Sequence, residues 1–451
     1  MARMFGTDGV RGIANKELTP DLAYRLGWAG ALVLAGECRH KPVILVGNDA
    51  RISCSMLEAA LVAGICSAGA DAFIAGVVPT PGIAYLSRKY HCDAGVMISA
   101  SHNSYEFNGI KFFSGTGHKL PDETEDRIEN MIHAYDEQVG DRPTGDAIGR
   151  RIEKKNASHD YVEHLKRRMS VDLSGLKIGL DCANGASAHI ATGLFSDLGA
   201  DVVAIGIEPD GVNINANCGS LHLDRLRGLV RRESCDIGIA FDGDADRMLA
   251  VDENGVVVDG DVLMAIIALD MKQLGQLRQD TLVVTVMSNL GLEIMARENG
   301  IALVKTKVGD RYVLEEMLKS GYVIGGEQSG HIILLDHATT GDGLLSALRL
   351  LRALTRTGKR LSEARRVMTV LPQVTKSAHI DNCRKAQVLE DEEICAAVNM
   401  MERQLDGCGR VLVRASGTEP IIRVMLEGQD TERITRMAEQ LTQLIISRYG
   451  A

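Results

Sequence analysis

DIGIAFDGDADRMLAVDE, residues 236–253, is the stretch on which the reading of the chain turns. Its apolar opening, DIGIAFD, has the composition of a buried strand. Asp242, Asp244 and Asp246 follow at alternate positions directly after it. Carboxylates this close repel one another unless a cation neutralises them, and hard oxygen donors suit Mg²⁺ or Ca²⁺. Glu253 stands where an EF-hand loop carries its last ligand. But Arg247 occupies the position where that loop needs glycine, and both flanks read as strands. The expectation is a divalent-cation loop at the end of a strand, of the kind in which Mg²⁺ also contacts a phosphate.

The same alternation extends in both directions. PVILVGND (42–49), AGVMISA (94–100), LKIGLDCA (176–183), DVVAIGI (201–207), TLVVTV (281–286) and YVIGGE (322–327) read as further strands. Amphipathic stretches such as SMLEAALVAGICSAGA and RYVLEEMLKSGY lie between them. Strands alternating with helices indicate βαβ units and largely parallel sheets. GDRPTGDAIGR (140–150) reads as a connection, and beyond about residue 370 the pattern changes. The expected fold class is α/β, with three similar mixed α/β domains at 1–150, 151–256 and 257–371. A smaller C-terminal α+β domain is expected at 372–451.

Composition narrows the function. The 451 residues are 45% apolar and 24% charged, which excludes disorder and coiled coil as the main architecture. With 50 Lys and Arg against 60 Asp and Glu, the net charge of −10 argues against nucleic acid as a partner. A local basic pocket for a small anion is still allowed. The ten cysteines show no C-x-x-C spacing, so they read as reduced thiols of a cytoplasmic protein. The apolar run LGWAGALVLAG is too short to span a bilayer, so no membrane role is expected.

Three other loops carry candidate chemistry. ISASHNSYEFNGIKFF (98–113) offers Ser101 as a nucleophile with His102 beside it, then Lys111. No G-x-S-x-G elbow is present, which disfavours an α/β-hydrolase. GYVIGGEQSGH (321–331) supplies Glu327, Ser329 and His331, short polar groups suited to sugar hydroxyls, while TKVGDRYV (306–313) places Gly309, Asp310 and Arg311 after another strand. VLVRASGTEPIIRV (411–424) sets Arg414, Ser416, Gly417, Thr418 and Arg423 around one turn, the donor set of a phosphate site. A nucleophile, a cation loop, a hydroxyl-reading loop and a phosphate clamp together describe phosphoryl transfer on a phosphorylated polyol. No Walker or kinase loop is present, so a phosphorylated serine, rather than ATP, is the expected donor.

MFGTDGVRG (4–12), SASHN, NGIK, NINANCGSLH (213–222), DGDADR, GEQSGH and RASGTEP occur in one order along the whole chain. In this the sequence resembles the α-D-phosphohexomutase superfamily, and within it the branch acting on glucosamine phosphates. The resemblance implies four domains around a central cleft and an isomerase interconverting D-glucosamine 6-phosphate and D-glucosamine 1-phosphate through a 1,6-bisphosphate. It implies phosphorylated Ser101 as the phosphoryl carrier, and Asp242, Asp244 and Asp246 with a phosphoserine oxygen as the Mg²⁺ ligands. Glu327 and Ser329 match sugar contacts; Arg247, Gly309, Asp310 and Arg311 are assigned to substrate binding with them. Arg414, Ser416, Gly417, Thr418 and Arg423 match the site of the non-reacting phosphate. Arg11, His102, Lys111 and His331 are assigned around the reacting phosphate. The product would feed amino-sugar nucleotide and cell-wall precursor synthesis. The partner implied is a small sugar phosphate, with a homodimer open to it.

Two positions depart from the pattern. Ser104 stands where the superfamily commonly has proline, and Phe107 where it has aspartate, which puts the order of that loop in question. NDARISC (48–54) keeps Asp49 and Arg51 of a common R-D-T-R-x-S-G. The rival readings are a sister enzyme acting on mannose or glucose phosphates, a non-catalytic sugar-phosphate sensor and a Mg²⁺-dependent phosphatase. Gln328 and the GTDGVRG start favour glucosamine over the sister enzymes.

Overall fold

The computed structural model describes residues 3–6, 8–36, 40–135, 142–416 and 419–450. Each apolar run singled out above contains a strand, and the strands form four sheets. The first has the order β1-β5-β4-β2-β3-β6, built from β1 (Val10–Ile13), β2 (Val43–Asn48), β3 (Asp71–Val77), β4 (Ala94–Ile98), β5 (Phe107–Ser114) and β6 (Arg151–Glu153). The second, β11-β10-β9-β7-β8, uses β7 (Lys177–Asp181), β8 (Asp201–Ile205), β9 (Ile237–Phe241), β10 (Met248–Asp252) and β11 (Val257–Val258). The third, β13-β12-β14-β15, uses β12 (Thr281–Thr285), β13 (Ala302–Thr306), β14 (Ile324–Gly326) and β15 (Ile332–Leu334). The fourth, β16-β18-β17, is formed by β16 (Gln373–His379), β17 (Gly409–Ala415) and β18 (Ile421–Gly428).

The first three sheets are less parallel than the alternation suggests. Each is parallel through its middle and antiparallel at one edge, where β4 meets β5, β9 meets β10 and β14 meets β15. The cause is the length of the connections. Residues 99–106, 242–247 and 327–331 are shorter than the dozen or so residues that a parallel crossover requires, so the chain returns antiparallel. These three short returns are the loops with candidate chemistry. β4, β9 and β14 are buried along their whole length, which matches their unbroken apolar sequences.

The chain packs as two compact units, Met1–Met287 with Gly300–Val367, and Ser288–Asn299 with Met368–Ala451. In the first unit, the helices Pro20–Ala35 and Cys54–Ser67 lay Leu26, Leu57, Leu61 and Ile65 on the Ile44, Val46 and Ile98 face of the first sheet. Each such side chain contributes about 1.5–3 kcal/mol by leaving water. The two helices touch backbone to backbone: a methyl on Gly64 would stand 2.1 Å from the Tyr24 carbonyl oxygen, and one on Gly27 2.2 Å from that of Leu61. In the second unit, the helices Glu392–Leu405 and Thr431–Tyr449 pack Ile394, Leu405, Ile434 and Leu441 against Ile422, Val424 and Leu426 of β18.

The helix crossing generates a test. Gly64→Ala should cost about 1–3 kcal/mol, because the added methyl meets backbone that cannot turn aside. Thermal unfolding should show the first transition lowered by several degrees. Gly228→Ala, in a helix with open space around the new methyl, should leave that transition unchanged or slightly raised.

Candidate active site

The carboxyl ends of three strands supply the site, where ligands collect in open α/β sheets. β4 leads into Ser99 and Ser101, β9 into Asp242, and β14 into Glu327. The Ser101 hydroxyl donates to Asp242 Oδ2 at 2.5 Å, so the first two loops touch. Asp242, Asp244 and Asp246 are buried, with one oxygen of each inside a sphere of contacts no wider than 4.8 Å. Burial, then Asp246 and Asp244, push the Asp242 carboxyl well above its ordinary range. Asp244 Oδ1 and Asp246 Oδ1 are sealed from solvent with no hydrogen-bond partner. Buried oxygens with unused acceptor capacity in a like-charged cluster are the donor set of a hard divalent cation, and the residues present fit Mg²⁺. The loops interleave closely: a methyl on Gly243 would lie 2.5 Å from the Ser101 carbonyl oxygen.

Ser101 adopts φ +52°, the left-handed region that non-glycine residues seldom enter. Such strain persists where surrounding structure over-determines it, and here two side chains do so. Arg51 Nη2 donates to the carbonyls of Ser101 at 2.9 Å and Asn103 at 2.8 Å. Its Nη1 donates to those of Ser104 and, at 3.1 Å, Phe107. Asn215 Nδ2, from the NINANCG segment, reaches the same Ser101 and Asn103 carbonyls at 2.8 and 2.9 Å. Asp49 receives Arg51 Nε at 2.9 Å and the Ser99 hydroxyl at 2.6 Å, and Ser99 Oγ accepts the Ser101 N–H at 2.9 Å. The ties at Ser104 and Phe107 run through main-chain carbonyls, so the departures from proline and aspartate leave the loop anchored.

Around the triad, charges alternate. Lys111 Nζ lies 2.9 Å from both Asp244 Oδ2 and Asp8 Oδ2. Lys119 joins Asp8 at 2.9 Å to Asp310 at 2.6 Å. His331 then closes the circuit, with Nε2 3.5 Å from Asp310 and Nδ1 3.7 Å from Asp246. Burial opposes the Lys111 charge, but Asp244 and Asp8 overcome it and raise its pKa. Against burial, His331, Lys111 and Arg247 hold the Asp246 carboxyl below the usual range. Thr80 adds a clamp on the metal loop: its hydroxyl donates to Asp244 Oδ2 at 2.6 Å and its N–H to the Asp244 carbonyl at 3.0 Å.

His331 is drawn two ways. The Gly341 N–H donates to Nε2 at 3.1 Å, which only a ring unprotonated there accepts. Burial likewise disfavours its charge, but Asp246 and Asp310 prevail and raise its pKa. His102 is held neutral: burial, then Arg247 and Arg11, push its imidazole down to about 4. Its Nδ1 stands 3.5 Å from Ser101 Oγ. Arg11 pairs with Asp8 through Nη2, while its Nε and that of Arg247 are buried without a hydrogen-bond partner.

The remaining assigned residues fall into two groups. Glu327 Oε1 accepts the Gly309 N–H at 3.1 Å, and Ser329 is exposed. Arg311 donates through Nε to Glu315 Oε1, at 2.9 Å, and through Nη1 to Asp122 Oδ1. Gln328 donates to Asp259 at 3.1 Å, so in this arrangement its amide is engaged within the protein. In the second unit, Arg414 and Arg423 stand directly opposite each other on β17 and β18. Burial, then Arg423, lower the Arg414 pKa. Like charges in register destabilise a sheet unless an anion intervenes. Lys385 holds the turn by donating to the carbonyls of Ser416 at 2.7 Å and Glu419 at 2.5 Å. Gly417 and Thr418 lie outside the described residues. Sequence reasoning missed Asp8, Thr80, Lys119, Asn215 and Lys385. Asp8 and Asn215 sit inside quoted motifs; the others carry no local signal.

Comparison with known proteins agrees with this geometry. Models of the phosphoglucomutase/phosphomannomutase alpha/beta/alpha domains I, II and III match residues 2–139, 159–255 and 259–370, and that of its C-terminal domain matches 378–444. A phosphoglucosamine mutase of Acetivibrio thermocellus is 56% identical over 450 residues, covering 100% of both chains. One of Ruminiclostridium cellulolyticum is 57% identical over 448 residues, covering 99% of this chain and all of the relative. Among solved structures, a Burkholderia thailandensis phosphoglucomutase/phosphomannomutase family protein superposes with a TM-score of 0.80 at 22% identity, covering 99% of this chain and 97% of that one. An Aspergillus fumigatus N-acetylphosphoglucosamine mutase, solved with GlcNAc-6P and magnesium, gives 0.69 at 18%, covering 99% and 96%.

Two outcomes follow from the electrostatics. Saturating Mg²⁺ should raise the thermal midpoint of the wild-type chain, by an amount equivalent to about 2.7 kcal/mol at a hundred times its Kd. Asp246→Asn should abolish most of that rise. Separately, the neutral His102 ring stabilises the fold fully above the ordinary imidazole pKa of about 6.5. That stabilisation is lost as the pH falls from there towards about 4, since the unfolded chain takes the proton first. His102→Gln should flatten this limb when thermal midpoints are compared across that range.

Proposed function

The chain belongs to the phosphoglucomutase/phosphomannomutase family and, within it, to the phosphoglucosamine mutases, and from that premise we propose that Ser101 is the residue through which the phosphoryl group passes. The enzyme is an isomerase that interconverts D-glucosamine 6-phosphate and D-glucosamine 1-phosphate. The observation that carries the proposal is Ser101 Oγ, held in a clamped, strained turn 2.5 Å from the first of the three buried carboxylates.

In the proposed reaction Ser101 begins as phosphoserine. The free hydroxyl oxygen of the sugar phosphate attacks phosphorus, the P–Oγ bond breaks, and its electron pair stays on Oγ. The sugar leaves this step as a 1,6-bisphosphate. It turns round in the site, Oγ attacks its other phosphorus, and the bond to the sugar oxygen breaks. Phosphoserine is restored, so no phosphate is consumed. The chain's own groups divide the work. Lys111, held charged by Asp244 and Asp8, is a fixed positive charge rather than a base. His331, pulled between two protonation states by Gly341 and the carboxylates, would take the hydroxyl proton and return it. The Nε–H groups of Arg11 and Arg247 make no hydrogen bond, Arg247 Nε standing 3.8 Å from Asp246 Oδ1, and both would donate to phosphoryl oxygens. Asp242, Asp244, Asp246 and the phosphoserine oxygen would hold Mg²⁺, which supplies positive charge where phosphoryl oxygens become more negative. Glu327 and Ser329 read the sugar hydroxyls. Arg414, Ser416 and Arg423, with Gly417 and Thr418, hold the phosphate that is not reacting.

Peptide mapping of the purified chain should find one phosphoryl group on Ser101 that glucosamine 6-phosphate discharges in the presence of Mg²⁺. Ser101→Ala should lower kcat by roughly four or more orders of magnitude. Asn215→Ala should still form phosphoserine but lose about 10²-fold in kcat, because the nucleophile is misplaced rather than removed. A permanently unmodified Ser101 that no bisphosphate sugar can charge would sink the proposal.

A further inference from the structure

The helix Thr80–Lys89 has Thr80 on the metal loop and Arg88 eight residues on, about 12 Å along its axis. Around that distal end lie two adjoining cavities of about 400 and about 350 Å³ that share Asp336 and His337. Arg278, Arg349 and Arg352 line the larger; Arg88, Lys89 and Arg168 line the smaller. Six cations therefore face one carboxylate, in a chain whose net charge is −10.

Half of these cations have partners. Arg349 pairs with Asp270 at 2.6 Å, Lys89 with Asp160 at 2.8 Å and Arg278 with Asp336 at 3.4 Å. Among the described residues, no hydrogen bond or ion pair engages the guanidinium of Arg88, Arg168 or Arg352. His337 Nδ1 is sealed from solvent and has no partner. The ring of His164 stacks on Tyr85 at 3.8 Å and gives the smaller cavity a flat wall. Burial, then Arg168 and Arg88, push the His164 imidazole down to about 4, and burial and Arg168 lower that of His337. The groove is thus strongly positive.

Arg88 and Arg168 each stand in the last turn of a helix, where a cation meets the negative end of the dipole. That accounts for either alone. It does not account for Arg352, in the body of the helix Gly343–Thr357, or for three helices turning unpaired guanidinium groups into one groove. Guanidinium forks without partners are suited to phosphate oxygens. We propose that this groove is a binding site for a small phosphorylated anion carrying two or more negative charges, distinct from the reaction site. The cavities are of small-molecule size, and the acidic chain as a whole disfavours nucleic acid as the occupant.

Inorganic pyrophosphate is the probe. Calorimetric titration of the full chain should show more pyrophosphate bound by the wild type than by Arg168→Gln or by the triple variant R88Q/R168Q/R352Q. The affinity of that extra site should fall about tenfold in the triple variant and fall with added salt. Mutase kcat without pyrophosphate should be unchanged in Arg168→Gln, whose side chain is exposed and is none of the groups described around Ser101. Identical isotherms for the wild type and Arg168→Gln would assign all binding to the reaction site and overturn the proposal, even if the triple variant did not fold. Absence of any binding to the wild type would overturn it equally.

Discussion

Three carboxylates buried within a few ångströms of one another are the constraint around which the first unit is organised. Left alone, Asp242, Asp244 and Asp246 would repel and take up protons. The protein offsets part of this with Lys111, Arg247 and His331, and anchors those cations in turn with Asp8, Lys119 and Asp310. Two acceptor oxygens are still unused. Buried carboxylate oxygens with acceptor capacity left over are a donor set that fits a hard divalent cation.

Holding such a cluster requires loops that cannot wander. The sheets achieve this by one repeated device: a fully buried strand, a short polar return and an antiparallel partner. Because each return is too short to cross over, it is fixed at both ends by ladder hydrogen bonds. Three of these returns carry Ser101, the aspartates, and Glu327 with His331. The strain at Ser101 is tolerated for the same reason. Arg51 and Asn215 reach its carbonyl from two other segments, so relaxing φ would break several hydrogen bonds at once.

What was legible in the sequence follows from what is local. The apolar runs, the carboxylate triplet and the serine loop are contiguous, and each appears in the structure where its residues placed it. The antiparallel edges were not read, although the lengths of the loops contained them. Asp8, Thr80, Lys119 and Lys385 were missed because their roles exist only after the chain has folded. Thr80 meets Asp244 across 164 positions, and Lys119 meets Asp310 across 191. Arg311 follows a strand end in the sequence, and in the structure its guanidinium is engaged by Glu315 and by Asp122, a partner that sequence adjacency does not indicate.

The second unit repeats the logic of the triad with the sign reversed. Arg414 and Arg423 stand opposite each other on two strands, and Arg423 Nε is buried without a hydrogen-bond partner. Glu419 draws off one nitrogen of Arg423, at 2.6 Å, on the exposed side only. The acidic loop gathers like charges that suit a cation, and the basic hairpin gathers like charges that suit an anion. Recognition by charge would suit the role proposed above, in which the hairpin holds either of two phosphates in turn, since a shape-matched pocket would favour one end of the sugar and resist the other. Lys385 fixes the turn through two main-chain carbonyls, so the shape of the turn does not rest on either arginine.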